Sequence, residues 1–194
     1  MRQIYNALYE LINVTHSQGI NWAVMGELSL YLNGIEVVPD KIEIFTDETG
    51  AYLLDKELGK RKFRVIERLS IRKNKNMMAH SGSYIIHGIR VNIIADIIFR
   101  LGEYINKLMF KKILPYCGFK VINSYEILIT PLEFELVRYL FMGINKDLVP
   151  KILDRIKVVG LNEELLELLL EGVPNEKRNE VLNIIESKNI ILQR

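Results

Sequence analysis

The segment WAVMGELSLYLNGIEVVPDKIEIFTD, residues 22–47, restricts the possible folds of this chain more than any other part of it. A short apolar run ends at Gly26, a helical apolar pattern continues to Leu32, and an alternating pattern begins at Lys41. Patterns of this kind predict a strand, a tight turn, a short helix and a second strand. A glycine turn between a strand and a helix often receives a phosphate, because the N–H groups at the helix start are free to bind an anion.

The remaining pattern predicts an α/β (α+β) protein, with a mixed β-sheet flanked by helices and then a C-terminal helical bundle. Helices are predicted over residues 2–18, 27–32, 50–60 and 97–112, from Ser124, and from Glu133 to the end, and strands over residues 21–25, 41–45, 84–86, 90–94 and 120–123. The division is predicted near Asn145, giving segments 1–144 and 145–194. No flexible linker marks it, so the two segments are expected to pack together.

Charge and cysteine content limit the function classes. Lys and Arg number 26 and Asp and Glu 24, so a surface that binds nucleic acid has to be local. Cys117 is the single cysteine, which excludes an internal disulfide and a thiolate zinc site and favours a reduced, cytoplasmic location. The N-terminal stretch lacks the apolar core of a signal peptide, and no apolar run has the length of a membrane span. Abundant Ile, Lys and Glu are also typical of thermophile proteins.

Several segments together resemble the nucleotidyltransferase superfamily, whose fold is shared with polymerase β. AVMGELSLYLNGI and KIEIF resemble its strand, turn, helix and second strand, and GIRVNII resembles the strand of its third carboxylate. FKVINSYEILI resembles the family segment in which a strand ends at Ser-x-Glu and a helix begins, and GINKDLVPKILD resembles its Lys-Asp-x-x-Asp-Ile helix. The resemblance covers residues 20–155. It is greatest to small stand-alone members and abortive-infection toxins.

Nucleotidyl transfer in this family implies a particular set of ligands. Metal ions bridge the phosphates and lower the pKa of the nucleophile, and magnesium prefers converging carboxylate oxygens. The family motif Asp-x-Asp supplies two of them from one strand face, because side chains on a strand alternate with period two. A Gly-Gly or Gly-Ser turn receives the phosphates, and a third Asp lies on a later strand.

The resemblance places different residues at most of these positions. Gly26 is retained at the turn, but Glu27 follows it where the family has Gly or Ser, and its carboxylate would repel a phosphate. The first metal-binding Asp corresponds to Lys41, the second to Glu43, and the third to Asn92. The family's lysine in the later helix falls near Pro131, which cannot replace it.

Only one of the three metal-binding positions carries an acid, which predicts a catalytically degenerate protein with no bound metal. Lys41 and Glu43 share one strand face, so we expect them to form an ion pair in place of the metal. The function left to such a protein is to bind a nucleotide, an RNA or a protein partner. The residues expected to line a nucleotide site are Gly26, Glu27, Ser29, Lys41 and Asn92, although Glu27 has a plainer role at the helix start and Ser29 in helix packing.

An active enzyme is the alternative. Asp40 and Asp96 lie near the replaced positions in sequence, and a shifted strand register could bring both to Glu43 to hold magnesium. A shift by one residue turns every side chain of the strand to the other face, however, and Ile42 and Ile44 are needed in the core. A further possibility is a toxin-like member of a two-protein system, whose expression alone would impair growth.

A basic run is the second candidate for function. It contains Lys60, Arg61, Lys62, Arg64, Arg68, Arg72, Lys73 and Lys75, with Glu67 as its one acid. With Phe63 among them, these side chains could follow a nucleic-acid backbone, although charge runs are more often solvated surface. In the C-terminal segment a leucine stripe, which comprises Leu161, Leu165 and residues 168–170, predicts core or a surface for a homodimer.

Overall fold

The computed structural model describes residues 1–16, 18–74 and 76–190, and within them eight strands form one mixed sheet. The strands are β1 (Trp22–Met25), β2 (Lys41–Thr46), β3 (Arg64–Lys73), β4 (Met77–Ile86), β5 (Ile89–Leu101), β6 (Tyr104–Leu108), β7 (Gly118–Ile122) and β8 (Tyr125–Ile129). The helices are α1 (Arg2–His16), α2 (Gly26–Leu32), α3 (Glu48–Lys60), α4 (Phe110–Ile113), α5 (Leu132–Met142), α6 (Leu148–Val159), α7 (Glu163–Leu169) and α8 (Asn175–Glu186).

The sheet order brings the predicted site strands together. The order is β3-β4-β5-β2-β1-β8-β7, with β6 paired to β5, and β2 is parallel to β5 while β1 is parallel to β8. The register places Lys41 opposite Arg90 and Glu43 opposite Asn92. We call the sheet face that carries these four side chains the cleft face, and the other face, on which α1 and α3 pack, the α3 face.

Each face of the sheet has its own hydrophobic core. Ile42 and Ile44 of β2 pack with the residues of α1 and α3, as the preferred register predicts. Phe45 points the other way, into a cluster with Phe134 of α5 and residues as far along the chain as Ile190. This second cluster contains residues from both sides of the predicted division near Asn145.

Hydrogen bonds also connect the C-terminal helices to the loop between α2 and β2. Arg155 Nε donates to the carbonyl of Asn33 at 2.8 Å, and Lys151 Nζ donates to the carbonyl of Glu36 at 2.9 Å. Both donors lie on α6, so this helix is attached directly to the segment that carries the predicted motif. No helix of residues 1–16, 18–74 and 76–190 has both the length and the apolar character needed to span a membrane.

Two predicted helices are wrong. Residues 97–112 form the end of β5, a turn, β6 and the short α4, because the alternation of buried and exposed side chains continues along β5 to a turn at Gly102, φ +67°. The predicted helix from Ser124 is a hairpin between β7 and β8. Asn123 and Ser124 have φ of +46° and +71°, the left-handed pair typical of a two-residue hairpin turn.

Candidate functional site

The glycine turn between β1 and α2 is bonded to a carboxylate of the chain itself. Gly26 has φ +72°, and its N–H donates to Glu135 Oε1 at 2.7 Å. The same oxygen accepts from Thr130 Oγ1 at 2.6 Å. In an anion-binding turn this backbone N–H would point to a phosphate, whereas here a buried side chain from α5 occupies that position.

Glu43 is placed between two cations. Its Oε1 lies 3.3 Å from Lys41 Nζ, which confirms the predicted ion pair on this strand face. Its Oε2 lies 4.0 Å from Arg138 Nη2, a neighbour that the sequence did not suggest. The Glu43 side chain is 13% exposed and that of Arg138 only 4%. The carboxylate expected to remain at the metal site is therefore neutralised from two sides.

Arg138 is fixed in place by α5 itself. Its Nε and Nη2 donate to Glu135 Oε2 at 3.0 and 2.8 Å, and its guanidinium lies 4.4 Å from the centre of the Tyr139 ring. Burial lowers the pKa of Arg138, but the carboxylates of Glu135 and Glu43 outweigh burial and the pKa is raised overall. Arg138 is therefore a permanent positive charge beside Glu43. The only sequence signal for it was a pair of charges, three residues apart, inside the apolar pattern of α5.

Glu27 and Asp40 lie within electrostatic reach of Glu43. The pKa of Glu27 is raised, first by burial and then by the negative charge of Asp40, while Lys41 opposes the shift. Glu27 Oε1 also accepts a long hydrogen bond, 3.5 Å, from Asn145 Nδ2. The cleft face thus has several acids at one end, together with the cations that balance them.

Asn92 is held by its neighbours on the sheet. Its Oδ1 accepts from Ser83 Oγ at 2.8 Å and from Arg90 Nε at 3.1 Å. The amide oxygen that could replace the third carboxylate is therefore already hydrogen-bonded to two donors. Arg90 is exposed and extends this polar strip toward the sheet edge.

Ser29 serves the packing of α2. It is fully buried, its Oγ donates to the carbonyl of Thr130 at 3.1 Å, and Asn33 Nδ2 donates to the carbonyl of Ser29 at 3.0 Å. These bonds attach α2 to the end of β8. The hydroxyl faces protein on all sides, which matches the plainer of its two expected roles.

Asp96 lies at a different place from Glu43. Its two carboxylate oxygens accept from the backbone N–H groups of Glu48, at 3.3 Å, and Phe110, at 3.1 Å. It follows Ala95, which pairs with Thr46 at the far end of β2. The register that would bring Asp96 to Glu43 is therefore not the one adopted.

These residues do not fit a magnesium site. Nowhere in residues 1–16, 18–74 and 76–190 do three His, Cys, Asp or Glu side chains form a group that could hold a metal ion. Magnesium needs converging oxygen ligands, whereas Glu43 is the one family-position acid and has Lys41 and Arg138 beside it.

The basic run is distributed over both faces of the sheet. Lys60 and Arg61, at the end of α3, pair with Glu57 and Glu10 on the α3 face. Further along, Arg72 pairs with Glu67, and a Cβ added to Gly59 would lie 3.2 Å from Arg68. Lys62 and Lys73 are exposed at the two ends of β3, and Lys75 lies outside the described residues.

Two members of this run, Arg64 and Arg72, lie on the cleft face, and Arg72 is paired there with Glu67. Arg64 pairs across the strands with Ile85, which in turn pairs with Arg90. Arg64 and Arg90 are exposed, and neither forms an ion pair with any residue that the structure describes. The leucine stripe contributes to the core: Leu165, Leu169 and Leu170 are buried.

Of the comparisons with known proteins, the one with solved structures supports the fold. Neither a protein-family model nor a curated protein matches the sequence. TM1012 from Thermotoga maritima, a proposed nucleotidyltransferase, is 28% identical with a TM-score of 0.63, over 84% of this chain and 91% of that chain. Two more distant structures have the same fold.

The first is ANT(2")-Ia in complex with adenylyl-2"-tobramycin, 11% identical with a TM-score of 0.50, over 97% of this chain and 99% of that chain. The second is LnuA, a lincosamide antibiotic adenylyltransferase with bound lincomycin, 10% identical with a TM-score of 0.51, over 79% of this chain and 96% of that chain. At such identities the likeness concerns the fold. By its likeness to these structures, the chain has the fold of the nucleotidyltransferase superfamily.

Proposed function

We propose that this chain is a catalytically degenerate member of the nucleotidyltransferase fold, which binds a nucleotide or an RNA segment without transferring a nucleotidyl group. One observation carries the proposal: the Glu43 carboxylate lies between Lys41 Nζ and Arg138 Nη2, at 3.3 and 4.0 Å. The cations take the place that the family resemblance assigns to metal ions. Phosphoryl transfer depends on those ions for charge neutralisation and positioning.

The electrostatic cost of a metal ion at this position is large. Two unit charges about 4 Å apart interact by about 4 kcal/mol at the effective dielectric constant near a protein surface. A divalent ion on Glu43 would be repelled by the Lys41 ammonium and the Arg138 guanidinium, and Arg138 is too buried to turn away. Fixed cations therefore compete with magnesium for the one carboxylate.

The cleft face offers a phosphate-containing ligand a different set of contacts. Arg64 and Arg90 are exposed on this face two strands apart, with Ile85 between them, and Arg90 lies beside the polar groups of Ser83 and Asn92. Arginine side chains recognise phosphate by paired N–H donors. A protein partner, heterologous or a second copy of the chain, has less support, because the leucine stripe is used in the core.

Catalysis is tested by incubating the pure protein with each labelled nucleoside triphosphate, magnesium or manganese, and RNA or protein acceptors. We expect no transfer of label and no saturable binding of Mn²⁺ in a calorimetric titration. Label transfer that disappears in Glu43→Gln would overturn the proposal. The same variant detects a contaminating transferase, because the activity of a contaminant would remain in the Glu43→Gln preparation.

Binding is tested with a fluorescent oligouridylate in an anisotropy titration at several salt concentrations. We expect Arg64→Glu/Arg90→Glu to weaken binding at least tenfold. The affinity should also depend less on salt, because each lost phosphate contact reduces the slope of log K against log salt concentration by about 0.7 for a single strand. Lys146→Glu/Lys157→Glu is the charge-matched control on the helical segment. An equal loss of affinity for the oligonucleotide in both double variants would show nonspecific electrostatic attraction, and it would contradict a site on the cleft face.

An active magnesium-dependent nucleotidyltransferase with rearranged carboxylates is the second candidate. The observation that favours it is the proximity of Glu27, Asp40 and Glu43, which is close enough for the acids to raise the pKa of Glu27. Asp96 is not part of this group. The candidate requires Mn²⁺ binding and label transfer in the wild-type protein, and loss of both in Asp40→Asn.

A further inference from the structure

A cavity lies on the α3 face of the sheet, on the opposite side from Glu43. Strands β3 to β6 extend past the start of α3 and leave a space of about 170 Å³. Its apolar wall consists of Ile71, Met78, Ile98 and Met109. The cavity is separate from the cleft face, so the proposed function does not depend on it.

His80 is the polar group that makes this cavity unusual. Its Nδ1 is buried and has no hydrogen-bond partner within the described residues, although a buried polar atom left unpaired costs free energy. The ring is held edge-on to Tyr52, with the ring centres 5.7 Å apart. Glu48 Oε1 lies 3.8 Å from Nε2, so a neutral ring that donates from Nε2 toward this carboxylate has Nδ1 as its acceptor.

Asp96 lines the same cavity and follows Ala95, the strand partner of His80. Asp96 has φ +47°, a left-handed conformation that is uncommon for a residue with a side chain, and its carboxylate is bonded to the backbone N–H groups of Glu48 and Phe110. These bonds connect the start of α3 to α4 across the cavity mouth.

We propose that this cavity binds a single-ring aromatic ligand that carries one N–H or O–H donor. An apolar cavity of about 150 Å³ accommodates benzene, so the volume here suits one substituted ring. Met78 and Met109 offer polarizable sulfur and flexible side chains, which adapt well to an aromatic face. Because His80 Nδ1 is covered by protein, the ring has to turn toward the cavity for the donor of the ligand to reach it. Lys107 also lines the cavity and tolerates a polar substituent.

Phenol and toluene test this proposal, since they have similar shapes and only phenol has a donor. With methyl-labelled methionine, NMR titrations report on the cavity through Met78 and Met109 and on the rest of the protein through the other four methionines. We expect both ligands to shift the two cavity methyls, with phenol binding about fivefold more tightly, the effect of one hydrogen bond of about 1 kcal/mol. His80→Phe should abolish the preference, whereas His87→Phe, at an exposed histidine, should leave it unchanged.

Three results would overturn the inference: no saturable shift at either cavity methyl, equal shifts at all six methionines, or equal affinity of the wild-type protein for phenol and toluene. The last comparison needs no variant, so it remains decisive even if His80→Phe does not fold. Since none of these measurements involves RNA or a nucleotide, their failure would leave the proposed function untouched.

Discussion

The guanidinium of Arg138 lies 4.0 Å from the carboxylate of Glu43, although one residue is on α5 and the other on β2. The same guanidinium is bonded to Glu135, which accepts the N–H of Gly26. A single network of ion pairs and hydrogen bonds therefore connects the glycine turn, strand β2 with the altered metal motif, and helix α5. We therefore expect a substitution in this network to change both the arrangement of side chains in the cleft and the free energy of unfolding.

Removing Arg138 should destabilise the protein strongly. In Arg138→Met the Glu135 carboxylate stays buried without its cation, which costs about 3–5 kcal/mol in comparable buried pairs. Arg178→Met removes one partner of a more exposed pair, with Glu167, and should cost no more than about 1 kcal/mol. Urea denaturation measures both. If the free energy of unfolding falls as little in Arg138→Met as in Arg178→Met, the network of ion pairs and hydrogen bonds has no structural role.

Alanine at Gly26 should be far more costly than alanine at a comparable turn glycine. Gly26 and Gly88 have φ of +72° and +80°, so both substitutions impose similar backbone strain. A Cβ at Gly26 would also overlap Glu43 Oε2, whereas a Cβ at Gly88 meets nothing within 4 Å. We expect Gly26→Ala to exceed Gly88→Ala by about 1–3 kcal/mol in the free energy of unfolding. Equal losses would show that Glu43 moves aside freely.

The local parts of this site could be predicted from sequence, and the long-range parts could not. The Lys41–Glu43 pair follows from the period of two along a strand and is confirmed. The contact with Arg138 depends on how α5 docks against β2, which no local pattern encodes. The sequence around Ser124 predicts a helix because serine before a helical pattern fits an N-cap, whereas the pairing of β8 with β1 and β7 makes this segment a hairpin.

Glu133 should make stability fall as pH rises. Burial raises its pKa above the ordinary value of 4.5, although the N–H of Asn162, 2.7 Å away, partly offsets the shift. Between 4.5 and the raised pKa the folded state binds more protons than the unfolded state, so the free energy of unfolding decreases across this interval and stays lower above it. Glu133→Gln cannot titrate. The free energy of unfolding of Glu133→Gln minus that of the wild-type protein should therefore increase from pH 4 to pH 8, as measured by urea denaturation. A difference that stays constant over this range would contradict the prediction.

Lys41→Asp should restore part of the metal site. The substitution removes one of the two cations beside Glu43 and places two carboxylates on one face of β2, at the spacing that the family uses. Arg138 remains, so we expect saturable Mn²⁺ binding at least about tenfold (1.4 kcal/mol) above the detection limit, which the wild-type protein should not reach, and no transfer activity. Lys62→Asp makes the same change of charge in an exposed turn and should bind no additional metal. A wild-type protein that binds Mn²⁺ as tightly as Lys41→Asp would show that the ammonium does not exclude the ion, because the remaining carboxylates alone would then suffice.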